Sequence, residues 1–586
     1  MIAPRPPCLA CLPGLVLAAL ASLALLGCED EPEPDASGWT GESDEVRELV
    51  LLRPPAETPG GSLLTPEEPT LRRVLEQLRL IAETDEVKGL FLRLGPLGGA
   101  WGQVGDLAEG LQRVRDAGKP IHCHFERADN ASYALLASRC DRISMTPAGT
   151  LNLVGVGAQV FYARSLLEEV GAHADILHMG RFKGAGDVLT RDDMPPEARE
   201  SLGALLDDLD AGLVAALQAR ELDARATIDG GPYGSIAARE AGLVDDVAFD
   251  DEAREHARQA GDAPRVRRIP LKPPAEPLGF ADVLGALVGE GEDPMPATER
   301  LALVHLHGPI VDGERPAPGR AVSGPFVDAV RDLADDDQVK AIVLRIDSPG
   351  GSALASDRMW HAVRRAAGRK PVIASVGNVA ASGGYYVASA ADVILAHDAS
   401  VVGSIGVVGG KVSFGALAED LGVRSVALRR GRRAGWGDPL RPFDEEEREA
   451  VEGLLRGTYY RFIRRVAQGR EMERSAVLAA AEGRVMSGRA GRALGLVDEA
   501  AGLDTALRRA REEAGLDADA PVQVWPPRRG FLAALTGGEG EVRAPADAWR
   551  ELMAPLGAVG EAAAWMPALL EDGQAAVALP YVLVLD

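Results

Sequence analysis

The chain has 586 residues, 46% of them hydrophobic and 26% charged, which is ordinary globular usage at a length that suits roughly four compact units. Acidic residues outnumber basic ones 88 to 63, and the resulting net charge of -25 disfavours a phosphate-backbone partner, so no nucleic acid is expected. Five cysteines are too few for a disulfide scaffold at this length, and the CxxC pair Cys8 and Cys11 has no second pair to complete a zinc site, so neither metal nor cofactor is expected.

From the N-terminus, Arg5 precedes an apolar run from Leu12 to Leu26 that stops abruptly at Gly27-Cys28-Glu29-Asp30. The run is short for a spanning helix and has the pattern of an export signal. Leu25-Leu26-Gly27-Cys28 resembles the lipobox of bacterial lipoproteins. That resemblance implies cleavage before Cys28, lipidation of its thiol, and a mature protein held at a membrane face outside the cytoplasm. Residues 1–28 are therefore expected to be a lipoprotein-type signal peptide and the acidic, Pro-rich residues 29–45 a solvated tether. Pro-rich stretches then divide the rest into a domain at 46–262, a linker at 263–298, a second domain at 299–515 and an extension at 516–586 that shows no readable role.

The two domains are copies of one another. Residues 82–99 (AETDEVKGLFLRLGPLGG) run beside 334–351 (ADDDQVKAIVLRIDSPGG) at an offset of 252, and from Lys119, matched by Lys370, the offset becomes 251 and holds to Asp187 and Asp438. The pattern in the second copy predicts a helix over Phe326–Ala334, a strand over Ala341–Ile346, a Gly-rich turn, a helix over Ser356–Ala367, a strand over Pro371–Val376, and a turn leading into a helix. Strands alternating with helices predict parallel sheets, so the fold class is α/β, used twice.

Two turns of the second copy invite chemistry. In Asp347-Ser348-Pro349-Gly350-Gly351 the paired glycines let backbone N–H groups converge on an oxyanion. In Asn378-Val379-Ala380-Ala381-Ser382-Gly383-Gly384-Tyr385 a lone hydroxyl among small residues enters a helix, which suits a nucleophile and equally suits an N-cap. A base must accompany it. His397 is one candidate. Lys183, in Gly180-Arg181-Phe182-Lys183-Gly184, is the stronger one, because lysine loses its proton when desolvated and arginine does not. The repeat supports it: Ser382 falls opposite Ala131 and Lys183 opposite Ala434, so each copy has kept one of the two groups.

With Asp347-Ser-Pro-Gly-Gly, Ala380-Ala-Ser-Gly-Gly-Tyr-Tyr, Gly403-Ser-Ile-Gly and Gly180-Arg-Phe-Lys in a duplicated chain, the sequence resembles the long, double-domain signal peptide peptidases of peptidase family S49, related in fold to ClpP and crotonase. The resemblance implies tandem ClpP/crotonase-like domains built of β-β-α units. It also implies Ser382 as nucleophile, Lys183 as general base, Ser404 as the hydroxyl that positions the lysine, and an oxyanion hole from N–H groups of Gly350 or Gly351 and of Gly383. Peptide substrates such as signal-peptide remnants, a homo-oligomer (a tetramer in the family), and a periplasm-facing membrane location follow from it as well. The chain departs from the family in carrying a lipobox where a spanning anchor is usual, and in its extension beyond residue 516. A catalytically inactive envelope scaffold and a crotonase-like acyl-CoA enzyme are the alternatives. Cys123 and Cys140 are equally compatible with a disulfide and with buried free thiols.

Overall fold

The computed structural model describes residues 44–58, 69–271, 298–526, 576–578 and 584–585, all within one compact unit, Ser43–Asp586. The leader with Cys28, the acidic tether up to residue 43, residues 272–297 of the linker and most of the C-terminal extension lie outside the described residues.

Each half builds a mainly parallel sheet with the same strand order. In the first half the order is Tyr233–Gly234, Arg142–Asn152, Ile121–Asp129, Val87–Leu94, Glu45–Leu51 and Val266–Arg268. In the second it is Val485–Ser487, Val401–Gly403, Val372–Ala381, Val339–Ser348, Arg300–His307 and Val522–Trp525. The central strands are largely apolar because both faces are covered: in Val339–Ser348 every residue except Lys340 and Asp347 is buried, Arg345 among them. The covering helices are amphipathic. Leu71–Glu83 buries Leu71, Val74, Leu75, Leu78 and Ile81 along one stripe, and the Thr70 hydroxyl caps its start by accepting from the Arg73 N–H. Its repeat counterpart Ser323–Asp335 buries Phe326, Val330 and Leu333 in the same way.

The repeat thus gives the α/β architecture twice, with differences at the edges of the predicted elements. The strand expected to end at Val376 runs on to Ala381, because Val379, Ala380 and Ala381 pair in parallel with Val401, Val402 and Gly403. What reads as a turn before Ser382 is therefore the end of a strand. Val266–Arg268 and Val522–Trp525 lie past residues 262 and 515, where composition turns Pro-rich or uninformative, yet each closes the outer edge of its half's sheet.

A third sheet joins the halves. Its order is Ala321–Val322, Ile310–Val311, Gly350–Ser352, Ala576–Ala578, Val407–Ser413 and His173–Met179, so it draws strands from both halves and from the C-terminal extension. A buried ion cluster joins them as well: Arg345 of the second half meets Glu57 at 2.9 Å and Asp106 at 2.6 Å, both from the first half. Burial alone would raise the Asp106 carboxyl, but Arg345, helped by His397, outweighs it and holds the group at about 2. Within the first half, Cys123 and Cys140 form a disulfide across 17 residues.

Candidate active site

The pairing of His173–Met179 with Val407–Ser413 sets the geometry of the site. The strands are antiparallel and Met179 lies opposite Val407, so the chain leaving Met179 toward Lys183 passes the chain that enters Val407 from Ser404. Gly180–Lys183 is then fastened to the second half by the Phe182 N–H, which donates to the Glu482 carbonyl at 2.6 Å. The lysine stem fills its tunnel closely: a Cβ on Gly406 would sit 3.0 Å from Lys183 Cδ and 2.8 Å from the Met179 carbonyl oxygen.

At the end of that stem the three sequence-predicted side chains converge. Lys183 Nζ lies 2.7 Å from Ser382 Oγ, 2.8 Å from Ser404 Oγ and 2.9 Å from the Ser404 carbonyl oxygen. All three residues have no solvent exposure. Burial is the cause that pushes the Lys183 amine well below its ordinary 10.5, since no carboxylate among the described residues pairs with it. The amine and the Ser382 hydroxyl come from opposite halves of one chain.

Ser382 occupies the N-cap position of the short helix Gly383–Ala388 but makes no side-chain capping bond; its hydroxyl is turned to Lys183 instead. The backbone is shaped for this. Ser382 has φ 53° and Ser404 φ 52°, left-handed values that a β-carbon disfavours and that cluster at functional sites. The Ser382 N–H donates to the Gly403 carbonyl at 2.8 Å and the Ser404 N–H to the Arg484 carbonyl at 2.7 Å, which pins both strained residues.

The Gly-rich turns come together beside Ser382. A Cβ on Gly383 would lie 2.6 Å from Ser356 Oγ, 3.1 Å from Gly350 Cα and 3.2 Å from Gly351 N, so the two glycine segments approach backbone to backbone. The Gly350 N–H donates to Ser348 Oγ at 3.2 Å, whereas Gly383 opens its helix and its N–H has no intrahelical acceptor. Asp347 orders the same turn by accepting from the Val379 N–H at 3.0 Å, and burial together with Glu57 pushes its carboxyl up to about 6.

His397, the other candidate base, is elsewhere: its Nε2 meets Asp106 Oδ1 at 3.3 Å in the ion cluster between the halves. Sequence reasoning missed the Ser404 carbonyl as a second acceptor for the amine, and it missed that cluster. Arg345 in the apolar stretch AIVLRID carried a signal, because a charge in a fully buried strand requires partners. Glu57 and Asp106, remote in sequence, carried none.

Comparison with known proteins identifies the family. The model of peptidase family S49 matches residues 113–263 and 364–517. "Serine protease SPPA, chloroplastic" of Arabidopsis thaliana is 30% identical over 76% of this chain and 66% of its own length. "Protease 4" of Salmonella typhi is 29% identical over 77% of the chain and 73% of its length, and that of Haemophilus influenzae 27% over 75% and 73%. With the family model spanning more than half of its length in two copies, the chain belongs to peptidase family S49 and is a serine-type peptidase of double-domain form.

Proposed function

We propose that this peptidase is a membrane-tethered endopeptidase that degrades cleaved signal peptides and other apolar, unfolded peptides by acyl transfer on a Ser382/Lys183 dyad. The observation that carries the dyad is a fully buried amine, with no carboxylate paired to it among the described residues, 2.7 Å from a serine hydroxyl. A neutral amine has two N–H bonds and one lone pair. The Ser404 hydroxyl and carbonyl accept the two N–H bonds, and the lone pair is left facing the Ser382 hydroxyl proton. Lys183 takes that proton as Ser382 Oγ attacks the peptide carbonyl. The N–H groups of Gly351 and Gly383 hold the oxyanion, Gly350 shaping the turn. Lys183 then gives its proton to the leaving amine, and the acyl-enzyme is hydrolysed by a water that Lys183 deprotonates. No metal or cofactor enters the scheme.

Cleavage of a fluorogenic apolar peptide by the chain lacking residues 1–28 tests this. Ser382→Ala and Lys183→Ala are each expected to abolish turnover, and activity retained in either rejects the dyad. A buried disulfide between Cys123 and Cys140 supports an oxidising compartment and hence export. For the tether, labelled palmitate is expected in the wild type and not in Cys28→Ser.

The repeat also supports a homo-oligomer. His173–Met179, which completes the inter-half pairing, corresponds at the 251 offset to residues 424–430, a stretch that forms no strand and leaves Val426 and Leu428 each 89% exposed. A neighbour's residues 156–162, the counterpart of Val407–Ser413, would repeat the same pairing around a ring. Val426→Glu with Leu428→Glu is expected to shift the protein from tetramer to monomer in light scattering, and an unchanged mass rejects this interface.

A further inference from the structure

The strand Ala576–Ala578 lies inside the third sheet, where a substrate would have to lie. It runs antiparallel to Gly350–Ser352, with Ala578 opposite Gly350, Val577 opposite Gly351 and Ala576 opposite Ser352. On its other side Ala576 pairs with Val408. One wall of this slot therefore contains the paired glycines beside Ser382, and the other is the strand that follows Ser404 and lies alongside the lysine segment. An extended peptide placed between the two walls gains main-chain hydrogen bonds on both sides, the way peptides bind by completing a sheet. A second strand of the same segment, Val584–Leu585, pairs with Ala158–Gln159 of the first half, so the tail is attached at two points. Ser382 is fully buried, and a substrate carbonyl reaches its hydroxyl only after something in the slot moves.

We propose that the C-terminal strand Ala576–Ala578 is an intramolecular pseudosubstrate: it occupies the peptide slot between Gly350–Ser352 and Val407–Ser413 and competes there with incoming chains. The proposal rests on the peptidase reading above for the identity of the slot, but it concerns binding and is testable without turnover. A segment tethered to its own site acts at an effective concentration in the millimolar range, so it holds off substrate even when its intrinsic affinity is modest. The composition suits such an occupant, since Ala575-Ala-Val-Ala-Leu579 is small and apolar like the substrates proposed for the site.

The test uses the Ser382→Ala protein, so that nothing is cleaved, and a fluorescein-labelled peptide of residues 574–586 as probe. Three chains are compared by fluorescence anisotropy: the full chain, the chain ending at Gln574, and the full chain carrying Val577→Pro. Proline in a strand flanked on both sides removes a ladder N–H without removing the tail, which guards against a truncated chain that fails to fold. The probe is expected to bind about tenfold more tightly to the truncated and proline variants than to the full chain, as release of a tethered competitor requires. In the catalytically intact background the same two changes are expected to lower KM for an apolar peptide about tenfold and leave kcat unchanged. Equal probe affinity in all three chains overturns the proposal. A lost dyad appears separately, as inactivity of chains that still bind the probe.

Discussion

The two halves share a strand order and have diverged at the same spot in opposite directions, and the comparison shows how one half of a duplicated site becomes structure. In the second half the chain reaches Ser382 with φ 53°, where two glycine segments approach backbone to backbone. In the first half the equivalent position is Ala131, inside the regular helix Asn130–Arg139. There Ala380 is replaced by Asp129, whose carboxylate accepts from the Gly98 N–H at 2.6 Å and from the Ser132 N–H at 2.8 Å. Gly98 is the counterpart of Gly350 at the 252 offset. The Gly98 and Ser132 N–H groups, counterparts of those of Gly350 and Gly383, thus share one built-in carboxylate in the first half, whereas in the second half the Gly350 N–H donates to Ser348 Oγ.

The sharpest way to break this division of labour is Lys183→Met, which leaves the second half complete and removes what the first half supplies. Loss of a general base costs about 10²- to 10⁴-fold in kcat, and Lys183→Arg is expected to fail as badly because a guanidinium stays protonated. The pH dependence identifies the group. Burial lowers the Lys183 amine, so kcat/KM is expected to rise with pH through that lowered value as the amine becomes neutral. Stability follows the same sense: between the lowered value and the ordinary 10.5 the unfolded chain binds a proton that the folded chain does not, so stability rises with pH across that window. In Lys183→Met this part of the stability profile should flatten, as read by urea unfolding at several pH values.

The same division explains what was legible in the sequence. A repeat that holds register reports its own gains and losses, so the serine missing from one copy and the lysine missing from the other single out the two side chains that the fold brings within 2.7 Å of each other. The patterns of Ala341–Ile346 and Phe326–Ala334 likewise announce a strand and a helix, which the structure extends to Val339–Ser348 and Ser323–Asp335. Contacts made once per chain leave no such trace. The pairing of His173–Met179 with Val407–Ser413 joins unequal parts of the two copies, Glu57 reaches Arg345 across 288 residues, and three residues near the C-terminus enter a sheet with no pattern of their own.

Arg345 and Arg93, equivalent at the 252 offset, give the next contrast. Arg345 is fully buried against Glu57 and Asp106 of the other half, whereas Arg93 is 20% exposed and reaches Glu48, Glu126 and Asp250 of its own half at 3.3–3.8 Å. Arg345→Met strands two buried carboxylates and is expected to cost about 3–5 kcal/mol in urea unfolding, against less than about 1 kcal/mol for Arg93→Met. Equal losses would mean that the halves are not held together through this cluster.

The disulfide belongs to one copy alone, since Cys123 and Cys140 correspond to Ala374 and Ala391. Replacing both cysteines by serine releases a loop of 17 residues and is expected to cost about 3 kcal/mol with kcat unchanged. A fall in kcat would show that the first half's sheet transmits strain to the lysine segment.

The smallest expected effect concerns Asp129. It caps the helix Asn130–Arg139 through a reciprocal pair of bonds with Ser132 and also takes the Gly98 N–H, so Asp129→Ala removes a cap worth about 1 kcal/mol and leaves that N–H unpaired. If the carboxylate stands where the other half would bind an oxyanion, the variant should regain stability in the presence of a small carboxylate such as acetate, and the wild type should not. Catalysis should be unaffected in both, because neither Ser382 nor Lys183 touches this turn. A variant that is destabilised with no response to acetate would reduce Asp129 to an ordinary helix cap, and the kinship between the two glycine turns would then be one of backbone shape without shared anion affinity.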